Sequence, residues 1–197
     1  MTKKVTLVSS FLFLKISEKL FFKFGYRRVT IKDICEGASL SKMTFYRYFK
    51  NKEEVAKIVL KNIIDESNKK FESIMESDNL FINKIENLIL LNESLIDRIG
   101  SDFLNDIISL KANIFKSLID KQSIYEKKKI EEYFKKAQKA GELNKKTPIS
   151  FFIYMLKDIQ EKLQDEKLKR LYSNEKDLMK DLTNYYFFGI APKNKEM

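Results

Sequence analysis

Residues 30 to 54 read Thr-Ile-Lys-Asp-Ile-Cys-Glu-Gly-Ala-Ser-Leu-Ser-Lys-Met-Thr-Phe-Tyr-Arg-Tyr-Phe-Lys-Asn-Lys-Glu-Glu. Cap chemistry divides this stretch into two short helices and the start of a third. Thr30 is placed to accept from the backbone N–H of Asp33, whose carboxylate complements the exposed N–H groups of a first turn, so a helix starts near Ile31. Ile31, Ile34 and Cys35 recur at i, i+3 and i+4 and face a core, leaving Lys32, Asp33 and Glu36 outside. Ser41 is the next N-cap. Phe45 and Phe49 bury one face of the helix it opens, and Lys42, Met43, Tyr46 and Arg47 point away from that core. Asn51 with Glu54 forms another capping pair, so a further helix starts at Lys52. Two short helices and a tight turn, with basic and aromatic side chains on the second helix, is the layout of a helix-turn-helix, which sets its second helix into the DNA major groove.

Charge supports a polyanionic partner. Residues 1–50 carry 11 lysines and arginines against 3 acidic residues, a net +8 out of the chain's +10. The other 147 residues balance 27 basic against 25 acidic side chains. A positive field confined to a quarter of the chain is the footprint of nucleic-acid binding. The lysines after residue 100, including Lys127 to Lys129, read as a solvated surface.

Across residues 13–55 the matching features are Leu20-Phe21, Gly25-Tyr26, Thr30-Ile31, Ile34, Leu40-Ser41, Thr44 to Phe49 and Lys52-Glu53-Glu54. On these residues the segment resembles the N-terminal DNA-binding domain of the TetR family of bacterial transcriptional repressors. The resemblance implies an all-α chain, with an N-terminal three-helix helix-turn-helix DNA-binding domain over residues 1–51. A larger C-terminal helical ligand-binding and dimerisation domain then covers 52–197. It implies that Lys42, Met43 and Thr44 open the recognition helix and reach base edges or adjacent phosphates. Tyr46 and Tyr48 then contact phosphates or bases, Arg47 adds a contact, Lys32 touches backbone or a base, and Lys52 matches the family's phosphate-binding lysine. The implied partners are a palindromic double-stranded operator, a second copy of the chain, and a small, largely apolar effector that shifts the connecting helix and releases the DNA. Repression is the family default.

Three departures stand out. Ser39 occupies the turn where the family usually has glycine and a left-handed backbone, at a cost of about 1 kcal/mol. Met43 replaces a small residue and alters which bases are read. Cys35 replaces alanine and reads as a small buried apolar residue rather than a sensor thiol, because it has no second cysteine to pair with.

Composition fits the same class. A 197-residue chain that is 44% hydrophobic, with five glycines and two prolines, can bury a sizeable helical core with few interruptions. The single cysteine excludes an intramolecular disulfide and suits a reducing cytoplasm. Lys3 and Lys4 before an apolar run superficially resemble a secretory signal. Lys15, Glu18 and Lys19 follow without a cleavage site, and Phe13, Leu14, Ser17, Leu20, Phe21 and Phe24 make a helical stripe ended by Gly25. No apolar run approaches the ~20 residues that span a bilayer, so a soluble protein without membrane association is expected.

Further helices are expected over 52–75, 80–98, 102–120, 123–140, 147–169 and 174–189, with a frayed tail over 191–197. Phe152, Met155, Ile159 and Leu163 form one apolar stripe, and Leu178, Leu182, Tyr185, Tyr186 and Gly189 another. They build either a dimer interface or the chain's own core. Phe103, Ile107, Phe115, Tyr133, Phe134, Phe151 and Tyr154 are candidates to line an effector cavity, though most read as core.

An enzyme is not expected. With no histidine the chain lacks the commonest general base and zinc ligand, and adjacent carboxylates such as Glu131-Glu132 point apart on a helix. No cofactor or metal is implied. The competing readings are a helical small-molecule-binding or interaction protein without specific operator binding and a basic architectural protein that binds DNA without sequence preference.

Overall fold

The computed structural model describes residues 2–109 and 114–188. Among them it forms ten helices and no strand: α1 Thr2–Arg28, α2 Ile31–Ala38, α3 Lys42–Tyr48, α4 Lys52–Glu76, α5 Phe81–Ile99, α6 Ser101–Ser109, α7 Lys116–Ala140, α8 Ile149–Leu163, α9 Glu166–Lys169 and α10 Glu175–Phe188. The all-α class and the three N-terminal helices are as the sequence implies. Two boundaries differ. Of the helix expected over 102–120, α6 covers Ser101–Ser109 and α7 starts at Lys116, with residues 110–113 outside the described residues, and α7 runs unbroken to Ala140. The expected break near residue 121 has no glycine or proline to enforce it, and Gln122 exchanges two amide hydrogen bonds with Asn68 of α4, at 2.7 and 3.0 Å. The stretch expected as one helix over 147–169 is divided into α8 and α9, where Asp165 caps the second piece by accepting from Lys167 N–H.

The chain divides into two compact units. The first comprises residues 1–70 and 92–124 and is built on Phe13, Phe21, Ile34, Phe45, Phe49, Val59, Phe103 and Phe115, all buried. The helix-turn-helix therefore shares its core with α4 and α6, and the unit that carries it is larger than residues 1–51. The second unit comprises 71–91 and 125–197 and centres on Ile85, Phe134, Ile159, Leu163 and Leu178.

Phe152, Ile159, Leu163 and Leu178 are buried in the second unit's own core, so those members of the two apolar stripes serve the core rather than a partner. Gly189 and the tail over 191–197 lie outside the described residues. The seven cavity candidates separate. Phe103, Ile107 and Phe115 belong to the core of the first unit and Tyr133 and Phe134 to that of the second, while Phe151 and Tyr154 are exposed.

Within the first unit, α1 lies along α6, and two glycines with positive φ permit the approach. A Cβ on Gly25 (φ +76°) meets Asp106 Oδ2 at 2.8 Å, and one on Gly100 (φ +77°) meets the Phe22 carbonyl oxygen at 2.6 Å. Gly25 (φ 76°, ψ 163°) ends the regular helical dihedrals where the sequence places a stop, and a short helical turn follows it to Arg28 within α1.

Candidate nucleic-acid interface

The geometry of the reading head is fixed by local hydrogen bonds. Thr30 and Asp33 close a capping box on α2: Asp33 N–H donates to Thr30 Oγ1 at 3.2 Å, and Thr30 N–H donates to Asp33 Oδ2 at 2.8 Å. These bonds hold the Asp33 carboxyl below its usual range, the Thr30 backbone N–H contributing most. After α2, Ser39 takes the left-handed conformation expected of this turn, φ 53° and ψ 38°, and Leu40 N–H donates back to the Cys35 carbonyl at 3.0 Å. Ser41 then caps α3 by accepting from Thr44 N–H at 3.1 Å, and its hydroxyl lies 2.9 Å from Thr44 Oγ1.

Packing decides which face of α3 is presented. Phe45 is fully buried and meets Phe13 of α1 edge-on at 5.3 Å between ring centroids, while Phe49 meets the same ring at 6.2 Å. Two aromatics anchored on one ring leave the opposite face of α3 outward. Lys42, Met43, Tyr46 and Arg47, at i, i+1, i+4 and i+5, are all exposed, Met43 at 78%. Thr44 and Tyr48 are half-buried, Thr44 in the cap and Tyr48 against Phe13 and Phe49.

Lys32 of α2 is exposed and makes only a loose surface pair with Glu36 at 3.6 Å. Lys42 and Arg47 have no carboxylate partner among the described residues. A groove of about 350 Å³ between α2 and α3 has Lys32 and Lys42 on its walls. Cys35 reaches that groove, yet it is buried and burial pushes its thiol up, the opposite of the shift that activates a cysteine.

Lys52 is placed differently from the other candidates. Its ammonium donates to the carbonyls of Tyr26 and Val29, each at 2.7 Å, with Arg27 O at 3.4 Å, and it stands 4.2 Å from the centre of the Tyr26 ring. Burial pushes its pKa below the usual lysine range, opposed by the charges of Asp106 and Asp33. The structure thus brings Lys32, Lys42, Met43, Tyr46 and Arg47 to exposed positions on α2 and α3 and holds Lys52 against the end of α1. Sequence reading missed Arg27, Arg28, Asp102 and Asp106, which link α1 to α6 from 74 or more residues apart and leave no local pattern.

Residues 13–58 match the family model for bacterial regulatory proteins of the tetR family. An uncharacterized HTH-type transcriptional regulator, YhgD of Bacillus subtilis, is 34% identical over 65 residues, covering 33% of this chain. The match spans about a third of that relative's length, 34%. Among solved structures, the transcriptional regulator FadR from Bacillus subtilis in complex with stearoyl-CoA superposes with a TM-score of 0.67 at 15% identity, over 92% of this chain and 100% of that one. The regulatory protein TetR from Rhodobacter sphaeroides gives 0.66 at 13% identity, over 91% and 99%. These two likenesses are of fold. No helix among the described residues is long and apolar enough to cross a membrane.

Proposed function

We propose that this chain, a member of the tetR family of bacterial regulatory proteins through its residues 13–58, is a DNA-binding transcriptional regulator, and a repressor by family default. It binds a palindromic operator as a homodimer and is released by a small-molecule effector. The observation that carries the reading is the outward face of α3, where Lys42, Met43, Tyr46 and Arg47 stand exposed on a helix whose other face is locked to Phe13. Lys42 and Met43 then meet base edges, Tyr46 and Arg47 bases or phosphates, and Lys32 the backbone beside them. Thr44 and Tyr48 serve both the head's own packing and the DNA edge of α3.

A dimer is favoured because a two-fold protein matches two half-sites. Phe151, Tyr154 and Tyr185, at 49, 67 and 51% exposure, are exposed aromatic side chains on α8 and α10 that can make it. For the effector, support comes from a groove of about 850 Å³ inside the first unit, between α4 and the first turns of α7. Ile58, Ile114 and Leu118 give it an apolar lining, and Lys57, Lys61, Lys116 and Lys121 stand around it beside Glu54 and Asp120, with Lys57 and Lys61 paired to Glu53 and Asp65. A ligand with an apolar chain and an anionic end, the chemistry of the stearoyl-CoA bound by the Bacillus subtilis FadR, fits that lining. Release requires that the ligand prefer a conformation in which the two heads no longer span both half-sites.

DNase I footprinting of the promoter upstream of the chain's own gene tests the reading. Protection of a palindrome, lost with Lys42→Ala, supports it. Protection that ignores sequence supports the architectural alternative, and none at all the small-molecule binder.

A further inference from the structure

We propose that Lys52 is a positioning residue, which sets the reading head by gripping the end of α1, rather than the phosphate contact that the family resemblance implies. The inference rests on the DNA-binding reading above. A lysine ammonium has three N–H donors and no acceptor. Here two of them reach the Tyr26 and Val29 carbonyls at 2.7 Å, and the Arg27 carbonyl lies at 3.4 Å. The Tyr26 ring beneath the ammonium adds a cation–π contact at 4.2 Å. Only the third N–H, now 3.4 Å from the exposed Arg27 carbonyl, is open to a phosphate, and any larger displacement surrenders a charge-assisted bond to a partly buried carbonyl.

The gripped segment is the hinge between α1 and the head. Gly25 ends the regular helical dihedrals just before it, and Thr30, the N-cap of α2, follows Val29 directly. Two of the same four residues, Arg27 and Arg28, are also held from α6, where Asp106 accepts from Arg27 N–H at 2.9 Å and pairs with its guanidinium at 3.3 Å, and Asp102 accepts from Arg28 at 3.2 Å. Segment 26–29 is thus tied to α4 through its carbonyls and to α6 through its N–H and side chains. The tie fixes where α2 starts and therefore where the Ser39 turn aims α3. Lys32, Lys42 and Arg47, exposed and uncommitted to any buried bond, are cations left available to phosphates.

Two measurements on the full chain test this. The first is the dependence of operator affinity on salt for wild type, Lys52→Met, Lys52→Arg and Lys32→Met, with far-ultraviolet circular dichroism confirming that each is folded. A positioning role predicts that Lys52→Met weakens binding at least tenfold at every salt concentration while its log–log salt slope stays at the wild-type value, and that Lys52→Arg recovers part of the loss. Lys32→Met lowers the slope by about 1.8, two phosphate contacts at about 0.9 each, one from each protomer of the dimer. A slope that falls by about 1.8 in Lys52→Met, or an affinity equal to wild type in that folded variant, overturns the proposal.

The second measurement needs no variant. In a spectrum selective for ¹⁵N-labelled lysine ammonium groups, Lys52 gives a slowly exchanging resonance in the free protein that is unmoved when operator duplex is added, whereas Lys32 and Lys42 shift. A Lys52 resonance in fast exchange with water, or one displaced as far as Lys42 by operator, contradicts it. Failure of wild type to prefer operator over scrambled DNA contradicts the DNA-binding reading instead, and the free-protein resonance still reports whether the grip exists.

Discussion

Phe13 of α1 and Phe45 of α3 meet edge-to-face at 5.3 Å, both fully shielded from solvent, and through this contact the first helix dictates which side of α3 faces outward. Truncating either ring to alanine removes the pivot. Phe13→Ala is expected to cost about 3–5 kcal/mol, the usual range for a buried phenylalanine, read as a lowered urea midpoint. A loss under about 1 kcal/mol shows that α3 is held by something else.

Ser39 supplies the opposite sign. It is the only non-glycine residue with positive φ among the described residues, at 53°. Ser39→Gly therefore relieves strain and is expected to stabilise the protein by about 0.5–1 kcal/mol in a denaturant titration, part of the relief being offset by the freer unfolded chain. Ser39→Val is expected to destabilise it. Equal midpoints for the three proteins contradict the turn geometry.

Glu66 predicts a pH dependence. The hydrogen bonds from Arg98 and Lys70 lower its carboxyl from the usual 4.5 to about 2. Because the folded value lies below the unfolded one, its contribution is complete above about pH 4.5 and fades as the pH falls towards 2. The carboxylate is 44% exposed, so Glu66→Gln is expected to lose less than about 1 kcal/mol at pH 7. Unfolding midpoints of the two proteins should converge between pH 4.5 and 2. A gap that stays constant with pH contradicts the ion pair.

Self-association is tested at the exposed aromatics. Tyr185→Glu combined with Tyr154→Glu is expected to turn a dimer at micromolar concentration into a monomer by light scattering, and to weaken operator binding with it. A wild-type monomer, or a double variant that remains dimeric, removes these residues from the interface.

What the sequence disclosed follows from range. The caps at Thr30, Ser41 and Asn51 act over three residues, so the limits of α2, α3 and the start of α4 are legible in a single stretch. The unbroken run of α7 past residue 121 is not, because Gln122 is held in its helix by Asn68, 54 positions away. The stripe on α8 shows the same limit. Phe152 and Ile159 are buried in their own unit, while the exposed Phe151 and Tyr154 sit beside them on the helix at positions where periodicity alone does not separate core from surface. Lys52 shows it for function: its motif is local, but what its ammonium grips lies 23 to 26 residues earlier.

The most direct measurement is a fluorescence-anisotropy titration of the protein against the palindrome nearest its own gene, beside a scrambled duplex of equal length, at two salt concentrations. A dimeric regulator that reads bases through Lys42, Met43 and Tyr46 binds the palindrome at least a thousandfold more tightly at both, of the order found for specific sites, and Lys42→Ala or Tyr46→Ala erases the preference. Equal affinity for the two duplexes, falling steeply with salt, contradicts that role for α3.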